Sequence, residues 1–270
     1  FFVDVLTNTD NIIHMKLGFI GTGQIAKATI LGILGSNLKI NQIYISQRNK
    51  KISSQLSKKS KKIIILKDNQ EIINNSNWIF LSITPEVGEK ILKNLKFKSS
   101  QTIINFISTI DIAQLRKYIK VKATIVRALP LPPIALRKGP VPICPINKKV
   151  KSFFDHLGTA VEVSNEKLFT NFWCMTAMMA PFYENLNTLS SWLFNKGINK
   201  IDAQKYVTSL FFAMSEDAVV NSKKDLRILI KNSQTPGGLN EQALKYLSKS
   251  GFYKLLDNTA NTILKRLKKV

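Results

Sequence analysis

The chain predicts an α/β fold: a doubly wound, mainly parallel sheet followed by an all-helical region. Three observations carry that expectation. The strand-like run Leu17–Ile20 leads through a glycine turn directly into the helical run Gln24–Leu34. Short apolar runs then alternate with helical patterns. From Asn165 onward no strand pattern is evident and helical runs take over. The predicted organisation is a tail at 1–14, an α/β domain at 15–163 and a helical domain at 164–270.

The first turn, Gly21-Thr22-Gly23-Gln24-Ile25-Ala26, has G-x-G-x-x-A spacing between a strand and a helix. Gly21 permits a sharp turn, Gly23 lets backbone N–H groups approach a pyrophosphate, and the small Ala26 lets the helix pack on the strand. The helix N-terminus adds partial positive charge. This is the dinucleotide fingerprint of a Rossmann-type domain, with Gly21, Thr22, Gly23, Gln24 and Ile25 as candidate cofactor contacts. A plain structural turn is the competing reading.

The second strand, Ile43–Ser46, ends in Gln47-Arg48-Asn49-Lys50, where an NAD-specific site would carry an acidic residue for the ribose hydroxyls. Ser46, Arg48 and Asn49 instead offer a hydroxyl, a bidentate cation and an amide, groups suited to a 2′-phosphate. NADPH is therefore expected ahead of NADH. Arg48 and Lys50 read alternatively as two more surface cations.

Ile63–Leu66, Trp78–Leu81, Thr102–Phe106 and Thr124–Val126 continue the strands, with helices over Asn69–Asn74, Pro85–Leu95 and Asp111–Ile119 between them. Val141–Cys144 and Ala160–Val163 are expected to close the domain as additional strands. Ligands of such sheets bind at the carboxyl ends of the strands. Ser82, Ile83, Thr84 and Pro85, after the fourth strand, and Ser108, after the fifth, complete the candidate cofactor contacts. Leu129–Pro133, after the sixth, stiffens the rim.

In the helical domain, Phe172–Tyr183 is too short to span a bilayer and reads as a buried helix. Breaks are expected near Lys196-Gly197, Asn221-Ser222 and Pro236-Gly237-Gly238. Apolar runs such as Leu210–Met214 predict faces buried against another subunit, in a homodimer or higher oligomer. An ordinary core would read the same way.

Composition narrows the function classes. With 270 residues, 44% hydrophobic content and a mean hydropathy of -0.01, the chain can build real cores and is not a disordered protein. A formal charge of +23 raises nucleic acid or an anionic membrane as partners. The lysines are dispersed, however, in pairs such as Lys58-Lys59, Lys61-Lys62 and Lys268-Lys269. Neither partner is expected; a solvated basic surface is. Cys144 and Cys174 have no metal or redox spacing, which fits a reducing cytoplasm and no bound metal. Residues 1–14 carry Asp4 and Asp10 and no basic n-region, so no signal peptide is expected and Met15 reads as the start of the folded part. His14 and His156 read as structural bystanders.

With the glycine turn, Ser46-Gln47-Arg48-Asn49 and Pro236-Gly237-Gly238 assembled, the chain resembles the pyrroline-5-carboxylate reductase family from about Met15 to Val270. The resemblance implies an NADPH-dependent reductase of a cyclic imine, with an intertwined helical dimerisation domain and a Pro-Gly-Gly-Thr-Thr helix start beside the substrate. It makes Met179, Pro236, Gly237, Gly238, Leu239, Asn240 and Glu241 candidate substrate contacts. Departures cluster there. Leu239 and Asn240 stand for the two threonines, Ala177-Met178-Met179-Ala180-Pro181-Phe182-Tyr183 for a serine-rich Ser-Gly-Ser-Gly-Pro-Ala-Tyr segment, and Thr84 for a usual lysine. The cofactor half is kept while the substrate pocket is rebuilt, which puts pyrroline-5-carboxylate itself in question.

Hydride transfer to a C=N bond needs the nicotinamide in line with the imine carbon, and a protonated imine is already electrophilic. No catalytic dyad is required. N–H groups of the helix starting near Gly237 and Gly238 are expected to anchor a substrate carboxylate. Asn240 is a candidate to donate to that carboxylate or accept from an iminium N–H, and Glu184 or Glu241 to hold a cationic substrate or supply a proton. Asn240 and Glu184 are thus the candidate catalytic residues; Glu241 reads equally as a first-turn carboxylate serving its own helix dipole. Two other readings stay open: a hydroxyacid dehydrogenase related to 6-phosphogluconate dehydrogenase, using Lys167 and Asn171 four residues apart on one helix, and a non-catalytic NADPH-binding sensor.

Overall fold

The computed structural model describes residues 15–268. The expectations for the 1–14 tail, for His14 and for Lys269 lie outside the described residues. The chain divides into two compact units between Phe169 and Thr170.

In the first unit a strand β1 (Met15–Ile20) leads to helix α1 (Gln24–Leu34), then β2 (Ile40–Ser46), α2 (Lys50–Ser57), β3 (Ile63–Leu66) and α3 (Asn69–Asn75). There follow β4 (Trp78–Leu81), α4 (Pro85–Leu92), β5 (Thr102–Asn105), α5 (Ile112–Tyr118), β6 (Thr124–Ala128), β7 (Pro140–Cys144), α6 (Lys148–Asp155) and β8 (Thr159–Glu162). The sheet order is β3-β2-β1-β4-β5-β6-β7-β8. Strands β1 to β6 pair in parallel, β7 runs antiparallel to β6, and β8 is parallel to β7. The order reverses between β1 and β4, the switch point at which doubly wound sheets open a ligand crevice.

Helices on both faces explain why the strands are continuously apolar rather than alternating. Leu17, Phe19 and Ile20 of β1 are all fully buried. Phe19 stacks on Phe80 with centroids 4.4 Å apart, and Ile30, Phe153 and Phe154 pack in the same layer. Ile20, Ile72, Leu81, Ile103 and Leu115 form the layer on the opposite face. Asn49, Asp68 and Asp111 accept backbone N–H groups at the starts of α2, α3 and α5, supplying the caps those helices need. The helix expected over Pro85–Leu95 ends at Leu92, and α2 emerges where no helix was expected.

In the second unit, α7 (Phe169–Thr176), whose first residue lies before the division, is followed by α8 (Met179–Asn195), α9 (Lys200–Val220), α10 (Leu226–Asn232), α11 (Leu239–Lys249) and α12 (Phe252–Leu267). Phe172–Tyr183 is not one buried helix. It breaks between α7 and α8, and Phe182 and Tyr183 are exposed. Pro181 supplies the reason: it has no N–H to give to a carbonyl four residues back, so it sits in the first turn of a new helix. Trp192, Tyr206 and Phe212 are also exposed, so much of this unit's aromatic surface lies uncovered within one chain. Among the described residues no helix is long and apolar enough to cross a membrane.

Candidate active site

The two glycines of the β1–α1 turn differ in why they are glycine. Gly21 has φ +95°, and a Cβ there would strike the carbonyl oxygen of Ser82. The chain itself forbids a side chain at this point. Around it the ends of β2 and β4 brace the turn. Gly21 N–H donates to Ser46 Oγ at 3.2 Å, Thr22 Oγ1 donates to the Ser46 carbonyl at 2.9 Å, and Ser82 Oγ donates to the Gly21 carbonyl at 2.7 Å. Gly23 has an ordinary φ of -79° and caps α1, and a Cβ added to it would meet nothing within 4 Å. Among the described residues no contact requires its smallness. It is exposed at the start of α1 beside exposed Gln24 and half-buried Ile25.

At the end of β2 the structure corrects part of the expected phosphate site. Ser46 is buried, its hydroxyl held inside the glycine turn rather than presented outward. Asn49 Oδ1 accepts the Ile52 N–H at 3.1 Å as the cap of α2. Arg48, between them, is exposed. On the neighbouring rim, Ile83 is half-buried, Thr84 is the exposed residue preceding α4, Pro85 opens that helix, and Ser108 is exposed.

The Ser108 loop is held from behind by a pair that sequence reasoning missed. Arg127, buried on β6, donates from Nη1 to Glu166 Oε1 at 2.9 Å and from Nη2 to the Ser108 carbonyl. Both Glu166 oxygens accept the Ile112 N–H, at 3.1 and 3.2 Å, and the guanidinium lies 5.3 Å from the centroid of the Phe169 ring. A single arginine inside an apolar strand pattern is the signal that could have marked this pair. Nearby, burial and then Glu166 push the Cys144 thiol above its ordinary range, with Arg127 opposing them.

On the second unit, α11 begins at the Pro236-Gly237-Gly238 turn, Gly237 taking φ +73°. Two N–H groups of the turn before the helix are engaged by the chain itself. Gly238 N–H donates to the Thr235 carbonyl at 2.8 Å, and Gly237 N–H donates to Glu241 Oε2 at 2.7 Å. The other carboxylate oxygen of Glu241 pairs with Lys245 Nζ at 2.6 Å. Lys245 first, then the Gly237 N–H, hold the Glu241 carboxyl below its usual range. Asn240 Nδ2 donates to the Ser233 carbonyl at 2.8 Å, and Leu239 is exposed.

Met179 is half-buried at the start of α8. Glu184 is exposed on the same helix, where Asn187 Nδ2 and Thr188 Oγ1 donate to it at 3.3 and 3.4 Å. Lys167 and Asn171 do not share a helix: Lys167 lies in the 3-10 turn Glu166–Leu168 and Asn171 in α7. Among the described residues no group of three or more His, Cys, Asp or Glu is placed to hold a metal ion.

Comparison with known proteins bears on the family. Residues 16–109 match the family model for NADP oxidoreductase coenzyme F420-dependent, and residues 166–270 match the model for pyrroline-5-carboxylate reductase dimerisation. These two matches, with the relatives below, support a member of the pyrroline-5-carboxylate reductase family. It is 23% identical over 260 residues to pyrroline-5-carboxylate reductase 2 of Bacillus subtilis (strain 168), with 93% of each chain covered. The Corynebacterium melassecola reductase is 23% identical over 250 residues, covering 87% of this chain and 91% of its own. Among solved structures, the Coxiella burnetii reductase superposes with a TM-score of 0.82 at 19% identity, covering 94% of this chain and 98% of that one. The Plasmodium falciparum reductase, solved with NADP bound, gives a TM-score of 0.76 at 22% identity, covering 94% and 97%. At such identities the structural likeness speaks for the pyrroline-5-carboxylate reductase fold alone.

Proposed function

We propose that this chain is an NADPH-dependent oxidoreductase that reduces the C=N bond of a cyclic imine, pyrroline-5-carboxylate or a close relative. The observation that carries this reading is Gly23: the chain leaves space for a side chain there, yet has none, at the start of a helix on the switch point of a doubly wound sheet. A pyrophosphate lying over α1 accounts for that absence, because only a bare backbone lets the phosphate oxygens approach the N–H groups. Thr22, braced on Ser46, fixes the turn, and Gln24 and Ile25 flank it. Arg48 is the donor assigned to the 2′-phosphate, with Asn49 and Ser46 shaping the turn that carries it. Ser82, Ile83, Thr84, Pro85 and Ser108 form the rim assigned to the nicotinamide end. NADPH supplies the hydride. The chain's part is to orient donor and acceptor and to keep the protonated imine in place.

Met179, Pro236, Gly237, Gly238, Leu239, Asn240 and Glu241 are the proposed substrate contacts. With Asn240 Nδ2 held by Ser233, its Oδ1 is assigned to accept from the iminium N–H. Glu184, already on the surface of α8, is assigned to favour a cationic substrate. The match to the dimerisation model supports a homo-oligomer, and we assign the dimer contact to the exposed apolar residues of α8 and α9, including Trp192 and Phe212. The two free cysteines, Cys144 and Cys174, fit a reducing, cytoplasmic setting.

Purified protein given NADPH and pyrroline-5-carboxylate, beside a panel of other cyclic imines and of 3-hydroxy acids with NADP+, tests the reading. Turnover of an imine is expected. Turnover confined to 3-hydroxy acids would replace the reading by a dehydrogenase, and NADPH binding with no turnover by a sensor.

A further inference from the structure

One row of residues crosses four strands at the carboxyl edge of the sheet: Ile20, Leu81, Asn105 and Arg127 are register partners in turn. The glycine turn, the Ser82 rim and the Ser108 loop leave the sheet directly after the first three. We propose that Arg127, fixed by Glu166, is a positioning residue that sets the Ser108 loop, and through it the nicotinamide, in the geometry hydride transfer requires. The inference rests on the assignment of Ser108 to the nicotinamide end and deepens it.

Backbone groups of this loop are tied down from several sides. Asn105, fully buried, accepts the Ile107 N–H at 2.9 Å and donates to the Ile110 carbonyl at 2.6 Å. Phe106 N–H donates to the Leu81 carbonyl at 3.0 Å, on the strand that leads to the Ser82 rim. Arg127 adds the Ser108 carbonyl and Glu166 the Ile112 N–H. Ser108 and Thr109 stay outward, both exposed. Stability does not explain the choice of an arginine. Its neighbours on β6, Ile125, Val126 and Ala128, are buried and apolar, and well-packed apolar side chains in place of a buried ion pair are often neutral or stabilising. A guanidinium fork holds a carbonyl and a carboxylate at once in fixed geometry, which an ammonium point charge does not. Without the tie to Ser108 the loop is free to shift, and a misplacement of about 1 Å at the reacting atoms costs up to about a hundredfold in rate.

The experiment is a single turnover, with full-length protein in excess over NADPH and pyrroline-5-carboxylate or unsubstituted pyrroline as acceptor, in wild type and in Arg127→Met/Glu166→Gln. The double variant removes both charges, so neither is left buried alone, and the introduced amide still accepts the Ile112 N–H. NADPH should bind it with a dissociation constant within about threefold of wild type, since the contacts assigned to the phosphates lie elsewhere. Oxidation per bound cofactor should nevertheless slow by about tenfold or more with whichever imine the wild type reduces. A merely structural role lowers the folded fraction and leaves this rate unmoved. If thermal melts show that the double variant does not fold, Arg127→Lys, which keeps the charge and loses the fork, answers with an expected slowing of about threefold or more. Oxidation of bound NADPH at the wild-type rate in a folded variant would overturn the role of Arg127 and leave imine reduction standing. A fall in affinity as large as the fall in rate would also overturn it, marking damage to the site as a whole. No oxidation by the wild type with either imine would overturn the imine reading and this inference with it.

Discussion

Arg127 and Glu166 meet at 2.9 Å between β6 and the turn that precedes α7, and together they hold the Ser108 carbonyl and the Ile112 N–H. The arginine side chain is 7% exposed and the glutamate 22%. Removing one member of such a pair leaves the other charged and poorly solvated. Arg127→Met should therefore lower unfolding free energy in urea by about 3 kcal/mol. Glu166→Gln should lower it less, since an amide oxygen can still accept the Ile112 N–H. Equal and negligible losses would show that the pair carries no stability.

The two turn glycines should separate folding from cofactor binding. Gly21→Ala forces a left-handed residue against the Ser82 carbonyl and should cost at least about 1–3 kcal/mol of stability. Gly23→Ala enters open space at an ordinary φ and should change stability by less than about 1 kcal/mol. It should nevertheless weaken NADPH binding by about tenfold or more, read by fluorescence titration. Unaltered NADPH affinity in Gly23→Ala would remove the observation on which the cofactor site rests.

Arg48→Glu should raise the NADPH Michaelis constant by about tenfold or more, the cost of a lost charge-assisted contact plus a new repulsion, and leave that for NADH little changed. Steady-state kinetics with both cofactors decide this. An unchanged ratio would mean that Arg48 is one more surface cation.

Glu241 also makes a pH prediction. Its folded pKa is held down, chiefly by Lys245 and then by the Gly237 N–H, so the stability it contributes is present above its unfolded pKa and is lost as pH falls through the depressed folded value. Melting temperatures of wild type and Glu241→Gln should differ in neutral buffer and converge as acid protonates the carboxylate. A gap that widens in acid would contradict the bond to Gly237.

How far the sequence could be read follows from which forces are local. Strand cores such as Trp78–Leu81 and the Gly21–Ala26 turn were legible because burial and backbone geometry are written in a few consecutive residues. The α8, α9 and α10–α11 breaks were legible from glycine and polar punctuation, yet the turn at Ser250-Gly251, also with a left-handed glycine, was not anticipated. Partnerships across the chain were invisible. Ser46 reads as a phosphate donor until its hydroxyl is seen on Gly21, and Arg127 and Glu166 lie thirty-nine positions apart. At α11 the residue types were plain, but the carboxylate of Glu241 turning back to Gly237 depends on a turn geometry that the letters alone do not specify.

The most direct test of the account is NADPH oxidation by the purified full-length protein with cyclic imines as acceptors. The account predicts imine-dependent oxidation that is faster with NADPH than with NADH. Tight NADPH binding with no oxidation in the presence of any cyclic imine would contradict it.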